Sequence, residues 1–187
     1  MKDSMLKPDQ GLLLISEPFL ADSYFKRSVV LLSEHDGEGS MGFILNKPTD
    51  LTINDAIDDF PPFKAPLYFG GPVNTDTLYY VHTLGDILEG SREIIKGVYW
   101  GGNFDQLRVL IDTGQITTED IRFYAGYSGW DNNQLDLELK EHAWVLSNST
   151  VNFSFFNDPT TLWKQALKSM GEDYAVMADF PEDPSLN

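Results

Sequence analysis

The chain contains no cysteine among its 187 residues. Disulfides, thiolate metal sites and cysteine nucleophiles are therefore excluded together. The amino-terminal segment MKDSMLKPDQ lacks the apolar core of a signal peptide. The longest aliphatic run nearby, Leu12 to Ile15, is far too short to span a bilayer. These absences predict a cytoplasmic protein that does not enter a membrane.

Basic residues are scarce, with 13 Lys and Arg against 29 Asp and Glu and a formal net charge of -16. Proteins that bind DNA gain most of their non-specific affinity by placing Lys and Arg on phosphates. Here the basic residues are scattered singly along the sequence, apart from the pair Lys26-Arg27. The summed negative field repels nucleic acid and anionic membranes. We therefore expect no direct binding of nucleic acid.

Recognisable catalytic motifs are also missing from the sequence. The sequence contains neither GxxxxGK[ST] nor HExxH. The segment Gly126 to Trp130 resembles a serine nucleophile elbow, but Trp130 stands where that turn requires glycine. His35, Asp36 and Glu38 could form a weak metal site, although a solvated hairpin tip explains the same residues better. The sequence predicts no metal and no cofactor, and it favours a protein that is not an enzyme.

The chain has ample material for a packed core, since 42% of its residues are hydrophobic and 13% aromatic. A chain of this length is most simply one domain, which we place over residues 1–187. Residues 173–187 contain four acids and no basic residue, and we expect loosely ordered ends there and at residues 1–8.

Short apolar runs bounded by turn residues indicate strands. The runs near the amino terminus read as strands covered on both faces. They alternate with loops and not with long helices, which argues against a Rossmann unit. The predicted strands are Gly11–Ser16, Ser28–Ser33, Met41–Asn46, Leu67–Gly70, Thr77–Thr83, Val98–Trp100, Ile121–Tyr127 and Ala143–Leu146.

Capping residues indicate where helices begin. Thr52, with Asp55 three residues later, is typical of a capping box, and Asn103 can cap a second helix. In the last helix, Asp158 is predicted as the N-cap and Pro159 as the first helical residue. The core face of that helix is predicted to be Leu162, Trp163, Ala166, Leu167 and Met170. The segment that contains Leu135, Leu137 and Leu139 fits either a strand or a helix.

Several segments together resemble the YqgE/AlgH family along almost the whole chain. They stand here as GLLLISEPFLADSYFKRSVVLLSEH, GSMGFILNKP, GGPV, WGGNFDQL, GYSGW followed by QLDLEL, and LWKQAL. The resemblance implies an α/β (α+β) single domain, whose mixed, bent or bifurcated β-sheet forms a pseudo-barrel with a few flanking helices. It also implies a helix across residues 132–141.

The resemblance implies no agreed biochemical function. We expect a non-enzymatic domain that binds a small molecule or a protein and has a regulatory role. One alternative is an enzyme that acts on a small polar substrate near His35 and His82. The other follows the label of transcriptional regulator attached to some family members, and would act without direct DNA contact. Ligand, protein partner and oligomeric state are not readable.

Polar residues within otherwise apolar motif segments are the candidates for a binding site, together with the glycine turns. Adjacent strands could carry the polar residues to one edge of the sheet and form a pocket there. At least one of the glycines is expected to need a positive φ or a close backbone contact. The candidates are Asp22, Arg27, His35, Asn46, Gly70, Gly71, His82, Gly101 and Gly102.

Overall fold

A computed structural model of the chain describes residues 6–150 and 158–181. Within these residues the chain forms ten strands, five α-helices and one 3₁₀ turn at Gly85–Ile87. The strands are β1 (Leu12–Ser16), β2 (Val29–Asp36), β3 (Gly39–Ile44), β4 (Pro48–Thr52), β5 (Pro66–Phe69), β6 (Val73–His82), β7 (Arg92–Ile95), β8 (Val98–Trp100), β9 (Ile121–Asp131) and β10 (Trp144–Asn148). The helices are α1 (Ile53–Ala56), α2 (Phe104–Asp112), α3 (Gln134–Lys140), α4 (Leu162–Ser169) and α5 (Glu172–Ala178).

Strand β9 is the centre of the sheet, because it is hydrogen-bonded to three neighbours. It pairs antiparallel with β3 and β6 and parallel with β5, which in turn pairs with β4. From β3 the order continues through β2 and β1 to β10, and from β6 through β8 to β7. The sheet thus divides at β9 and curls into a half-barrel. This confirms the expected single-domain α+β fold with a mixed, bifurcated sheet.

Strand β1, the first five residues of β2 and the last three residues of β3 are almost entirely buried, on both faces of the sheet, as their apolar runs predict. Successive side chains of a strand point to opposite faces, so each strand contributes to two cores. One core contains Leu13, Ile15, Val29, Leu31 and Phe43 together with Leu162 and Trp163 of α4. The other contains Leu14, Val30, Leu32 and Ile44 together with Leu135 of α3. Helices therefore cover both faces of this part of the sheet.

The predicted helix starts at Thr52 and Asn103 are confirmed. Asp55 accepts hydrogen bonds from the backbone N–H and the hydroxyl of Thr52, both at 2.7 Å. The Asn103 side chain accepts a bond of 3.0 Å from the backbone N–H of Gln106. The implied helix over residues 132–141 is also present, as α3, and the alternating leucines therefore belong to a helix.

The start of the last long helix differs from the sequence prediction. Helix α4 begins at Leu162 with Thr161 as its N-cap. Asp158 instead closes the preceding turn, where its carboxylate accepts a bond of 2.9 Å from the N–H of Thr160 and its carbonyl accepts one of 3.1 Å from Thr161. Aspartate forms such local bonds readily and so offers the backbone an alternative to helix. The predicted core face is confirmed for Leu162, Trp163, Ala166 and Leu167, which are buried, while Met170 is partly buried.

The carboxyl-terminal end is more ordered than the sequence suggests. We expected loose structure over 173–187, but Glu172–Ala178 is helix α5, which packs against α4. Residues 1–5 and 182–187 of the expected loose ends lie outside the described residues. None of the helices in residues 6–150 and 158–181 is long and apolar enough to cross a membrane.

Candidate functional site

Asn46 ties the end of β3 to the residues that enter β2. Its side-chain oxygen accepts a hydrogen bond of 2.9 Å from the backbone N–H of Val29. Its side-chain nitrogen donates a bond of 2.8 Å to the carbonyl of Arg27. Arg27 has φ of 50°, a left-handed conformation that is unfavourable for a residue with a side chain. Asn46 therefore holds Arg27 in a backbone conformation that it would not adopt by itself.

The left-handed turn directs the Arg27 side chain onto the carboxyl-terminal helices. Its guanidinium carbon lies 4.7 Å from the centre of the Trp163 ring, and one of its nitrogens donates a bond of 2.6 Å to the carbonyl of Phe180. Trp163 is itself fixed, since its indole N–H donates a buried bond of 2.9 Å to the carbonyl of Ser16. The positive charge of Arg27 is thus held in one place by a ring of α4 and by a carbonyl in the segment that follows α5.

Lys47 brings a second positive charge to the same region. Its ammonium group donates hydrogen bonds to the carbonyls of Ser23 and Tyr24. Burial lowers the pKa of Lys47, because a charged ammonium group loses hydration there, and the nearby carboxylate of Asp22 partly opposes this change. Asp22 also accepts a bond of 2.8 Å from the backbone N–H of Tyr24. The loop before β2 therefore places an acid and a half-buried base beside the Arg27 turn.

These residues border an open cleft of about 600 Å³ between the sheet and the carboxyl-terminal helices. The cleft is lined by Lys26, Arg27, Asn46, Lys47, Pro159, Thr160, Trp163, Lys164, Asp179, Phe180 and Pro181. Among the described residues, four of the 13 basic residues of the chain line this cleft, with a single carboxylate. That carboxylate, Asp179, forms an ion pair of 3.2 Å with Lys168. We call this feature the basic cleft, and its charges suit it to hold an anion.

The structure brings three of the sequence candidates together at the basic cleft. Arg27 and Asn46 line it, and Asp22 lies near Lys47 at its edge. Sequence reasoning missed Lys47, Lys164 and Trp163 as members of this site. The sequence did hold a clue to two of the lysines of the cleft, because Lys26 directly precedes the candidate Arg27 and Lys47 directly follows the candidate Asn46. No local signal joins Lys164 to them.

His35 lies elsewhere, on the hairpin between β2 and β3. Its Nδ1 is 2.8 Å from the hydroxyl of Ser40. A second open cleft beside this hairpin is lined by the acids Glu34, Asp36, Glu38 and Asp131. Within the described part of the chain, no three His, Cys, Asp or Glu side chains are arranged to hold a metal ion. The site candidate His35 is thus separate from the basic cleft.

His82 is fully buried at the end of β6 and shares no hydrogen-bond partner with His35 among the described residues. The carbonyl of Gly101 lies 2.9 Å from its Nε2, and the backbone N–H of Leu84 donates a bond of 3.3 Å to its Nδ1. This arrangement requires the proton of the neutral ring to be on Nε2, where it bonds to Gly101. Burial lowers the pKa of His82, because the charged ring is poorly solvated there. The two bonds fasten the loop that follows β6 and the loop that follows β8 to the sheet.

The candidate glycines confirm the expectation of special backbone geometry. Gly71, Gly101 and Gly102 have φ of 151°, 70° and 108°. A Cβ atom on Gly70 would lie 2.2 Å from the carbonyl oxygen of Gly126, and a Cβ atom on Gly71 would lie 2.3 Å from the carbonyl group of Tyr127. Close backbone packing against β9 explains why Gly70 and Gly71 lack a side chain. The carbonyl of Gly101 accepts a bond from His82, and the carbonyl of Gly102 accepts one from Tyr80.

Ser128, the serine of the elbow-like segment, is buried beside the Gly70 turn. Its hydroxyl donates a bond of 3.0 Å to the carbonyl of Gly70, and its exposed fraction is 0%. It therefore joins β9 to the Gly70 turn.

Comparison with known proteins gives a consistent result over nearly the whole chain. Residues 13–175 match the model of a family described as AlgH-like. A UPF0301 protein of Bacteroides thetaiotaomicron is 46% identical over 181 residues, which are 96% of this chain and 92% of that protein. A UPF0301 protein of Cytophaga hutchinsonii is 44% identical over 179 residues, covering 95% of this chain and 98% of the relative.

Two solved structures share the fold. The solution structure of the AlgH protein from Pseudomonas aeruginosa has a TM-score of 0.74 at 27% identity, covering 97% of this chain and 98% of that one. A crystal structure of a Corynebacterium diphtheriae protein has a TM-score of 0.78 at 19% identity, covering 96% and 95% of the two chains, and shows the fold alone. The names of these relatives state no reaction or ligand. The matched family model and the relatives show that the chain belongs to the AlgH-like family, the one that its sequence motifs indicate.

Proposed function

We propose that this protein is a non-enzymatic binding domain whose basic cleft takes a small anionic ligand, with a regulatory role exerted through that ligand. The single observation that carries the proposal is the meeting of Lys26, Arg27, Lys47 and Lys164 around one concavity, in a chain whose net charge is -16. Like charges that line one cleft repel one another, and a bound anion would relieve that repulsion.

Three features of Arg27 and Lys47 support this proposal. Arg27 is kept in an unfavourable backbone conformation, and unfavourable conformations of this kind concentrate at ligand sites. Lys47 is partly desolvated, so its charged form would gain from a negative partner more than an exposed lysine would. The guanidinium of Arg27 is planar and already oriented, which lowers the entropic cost of binding phosphate or carboxylate.

The charge distribution also favours a small ligand over duplex DNA. The basic side chains line a concave cleft and do not form an extended face. The remaining surface carries most of the 29 acids and would repel a long polyanion. A small anion in the cleft would meet four basic side chains and, among the described residues of the lining, one carboxylate, Asp179.

Titration of the whole protein with pyrophosphate at low ionic strength, followed by calorimetry, tests the proposal. We expect saturable binding that weakens as salt is added. Replacing Lys26 or Lys164, both exposed lysines of the cleft, by glutamine should weaken binding about fivefold or more. The matched control is Lys96→Gln, which makes the same charge change at an exposed position outside the cleft and should leave the affinity unchanged. Equal effects at all three positions, or no binding by the unaltered protein, would disprove the proposal.

A further inference from the structure

An aromatic ring lies at the edge of the basic cleft beside the fixed cation. Phe180 lines the cleft, and its own carbonyl accepts the hydrogen bond from Arg27. Its ring stacks on that of Phe19, with 5.6 Å between the ring centres and 17° between the planes. Phe180 is only half-buried and Phe19 is 38% exposed, so this stacked pair is not enclosed in a core.

A second stack with an exposed ring is connected to Lys47 through the main chain of Tyr24. The ring of Tyr24 is stacked on that of Phe69 at 5.9 Å and 24°, and Tyr24 is 53% exposed. The carbonyl of the same Tyr24 accepts a bond from the ammonium group of Lys47. Rings of this size are normally buried to a large extent, because each removes much apolar surface from water. Two exposed ring stacks therefore accompany the two fixed cations.

Cations next to exposed aromatic faces form the combination that binds a phosphorylated compound with a planar ring. The cations hold the phosphate, and the ring of the ligand stacks on the aromatic side chain of the protein. Such stacking depends little on which ring the ligand carries. A volume of about 600 Å³ is far more than one phosphate group fills and is within the range of pockets for small organic ligands.

We propose that the ligand of the basic cleft is a phosphorylated small molecule that carries an aromatic ring, the chemistry of a nucleoside phosphate. This inference rests on the anion-binding function proposed above. The phosphate lies among the four basic side chains of the cleft, and the ring of the ligand stacks on the accessible part of Phe180. The inference adds a ring-recognising surface to a site that charge alone would open to any small anion.

The test compares three probes with the whole protein by calorimetry. Adenosine monophosphate carries both the phosphate and the ring, ribose 5-phosphate carries the same phosphate on the same sugar, and adenosine carries only the ring. We expect adenosine monophosphate to bind about tenfold or more tightly than ribose 5-phosphate. We expect adenosine alone to bind weakest. Replacing Phe180 by leucine keeps the carbonyl that accepts the bond from Arg27, and it should remove most of the advantage of adenosine monophosphate over ribose 5-phosphate.

The outcomes separate this inference from the function on which it rests. Equal affinities for adenosine monophosphate and ribose 5-phosphate would overturn the ring-stacking inference but leave anion binding in place. Absence of binding for both phosphates and for pyrophosphate would overturn both. If the leucine variant fails to fold, as judged by its thermal unfolding, the comparison of probes on the unaltered protein still decides the question. If the folded leucine variant still binds adenosine monophosphate more tightly than ribose 5-phosphate by the same factor, the adenine ring does not stack on Phe180, and the role proposed for Phe180 is refuted.

Discussion

Replacing Asn46 by alanine tests whether this residue holds the Arg27 turn in place. The change removes the acceptor of the Val29 N–H and the donor to the Arg27 carbonyl. Val29 is fully buried, so its N–H would be left without a partner and without water. An unsatisfied buried donor costs about 1–3 kcal/mol, and the second bond contributes about 0.5–1.5 kcal/mol. We therefore expect Asn46→Ala to lower the free energy of unfolding by about 2–4 kcal/mol.

The same change should also weaken the basic cleft. Without the bond from Asn46, the left-handed conformation of Arg27 loses a support that offsets its cost. The guanidinium would then occupy its position over Trp163 less often, and we expect the affinity for pyrophosphate to fall. Asn46→Asp keeps an acceptor for the Val29 N–H but loses the donor, so its stability should lie between those of the alanine variant and the unaltered protein.

Equilibrium unfolding in urea measures these effects directly, with the thermal midpoint as a second observable. For a chain of this size each kcal/mol corresponds to about 2–4 °C in the midpoint. The control is Asn132→Ala, at an exposed position in the turn before α3, which should change stability by less than about 0.5 kcal/mol. A loss below about 1 kcal/mol for Asn46→Ala, or an undiminished affinity for pyrophosphate, would refute the account of the turn.

Four further predictions concern stability and partners. Trp163→Ala should cost about 3–5 kcal/mol in urea unfolding, because a buried ring is lost; a cost below about 1 kcal/mol would contradict this. The lowered pKa of His82 means that the unfolded chain binds its proton first as pH falls. The stability that His82 provides is therefore present above about pH 6.5 and is lost below it, and His82→Gln should remove this part of the pH dependence. Parallel pH curves for the two proteins would refute the assignment. Gly71→Ala should cost about 3 kcal/mol or more, whereas Gly114→Ala, which meets open space at φ of 66°, should cost about 1–2 kcal/mol; similar losses would show that the contact is unimportant. Duplex DNA should show no binding in an anisotropy titration at about 150 mM salt, and micromolar affinity there would contradict the charge argument.

Local sequence was a good guide to elements with a strong apolar pattern or a capping residue. The strands of the first core, the capping box at Thr52 and the stripe of α4 all followed from spacing alone. Strands β4 and β7 were missed, because their residues are largely polar or exposed and show no regular alternation. Such strands form because a neighbouring strand supplies hydrogen-bond partners, and that information lies elsewhere in the chain.

The candidate site was only partly readable from sequence. Arg27 and Asn46 stood out as polar residues within apolar motifs, and the structure joins them through a direct hydrogen bond. The proposed pairing of His35 and His82 had no comparable local basis, since it depended on which strands are neighbours. The sheet order places β2 and β6 on opposite sides of β9, and the two histidines have different surroundings.

The sequence by itself determined the absence of thiol chemistry, the strong negative charge and the strand-rich pattern that the family motifs organise. It also showed basic residues as single, scattered charges. Only the tertiary structure decided that Lys164, more than 100 positions after Lys47, lines the same cleft as Lys26 and Arg27. The physical reason is that α4 must bury Leu162, Trp163 and Leu167 against β1 and β2. Burying that apolar face brings the lysine next to Trp163 to the edge of the sheet where the Arg27 turn lies.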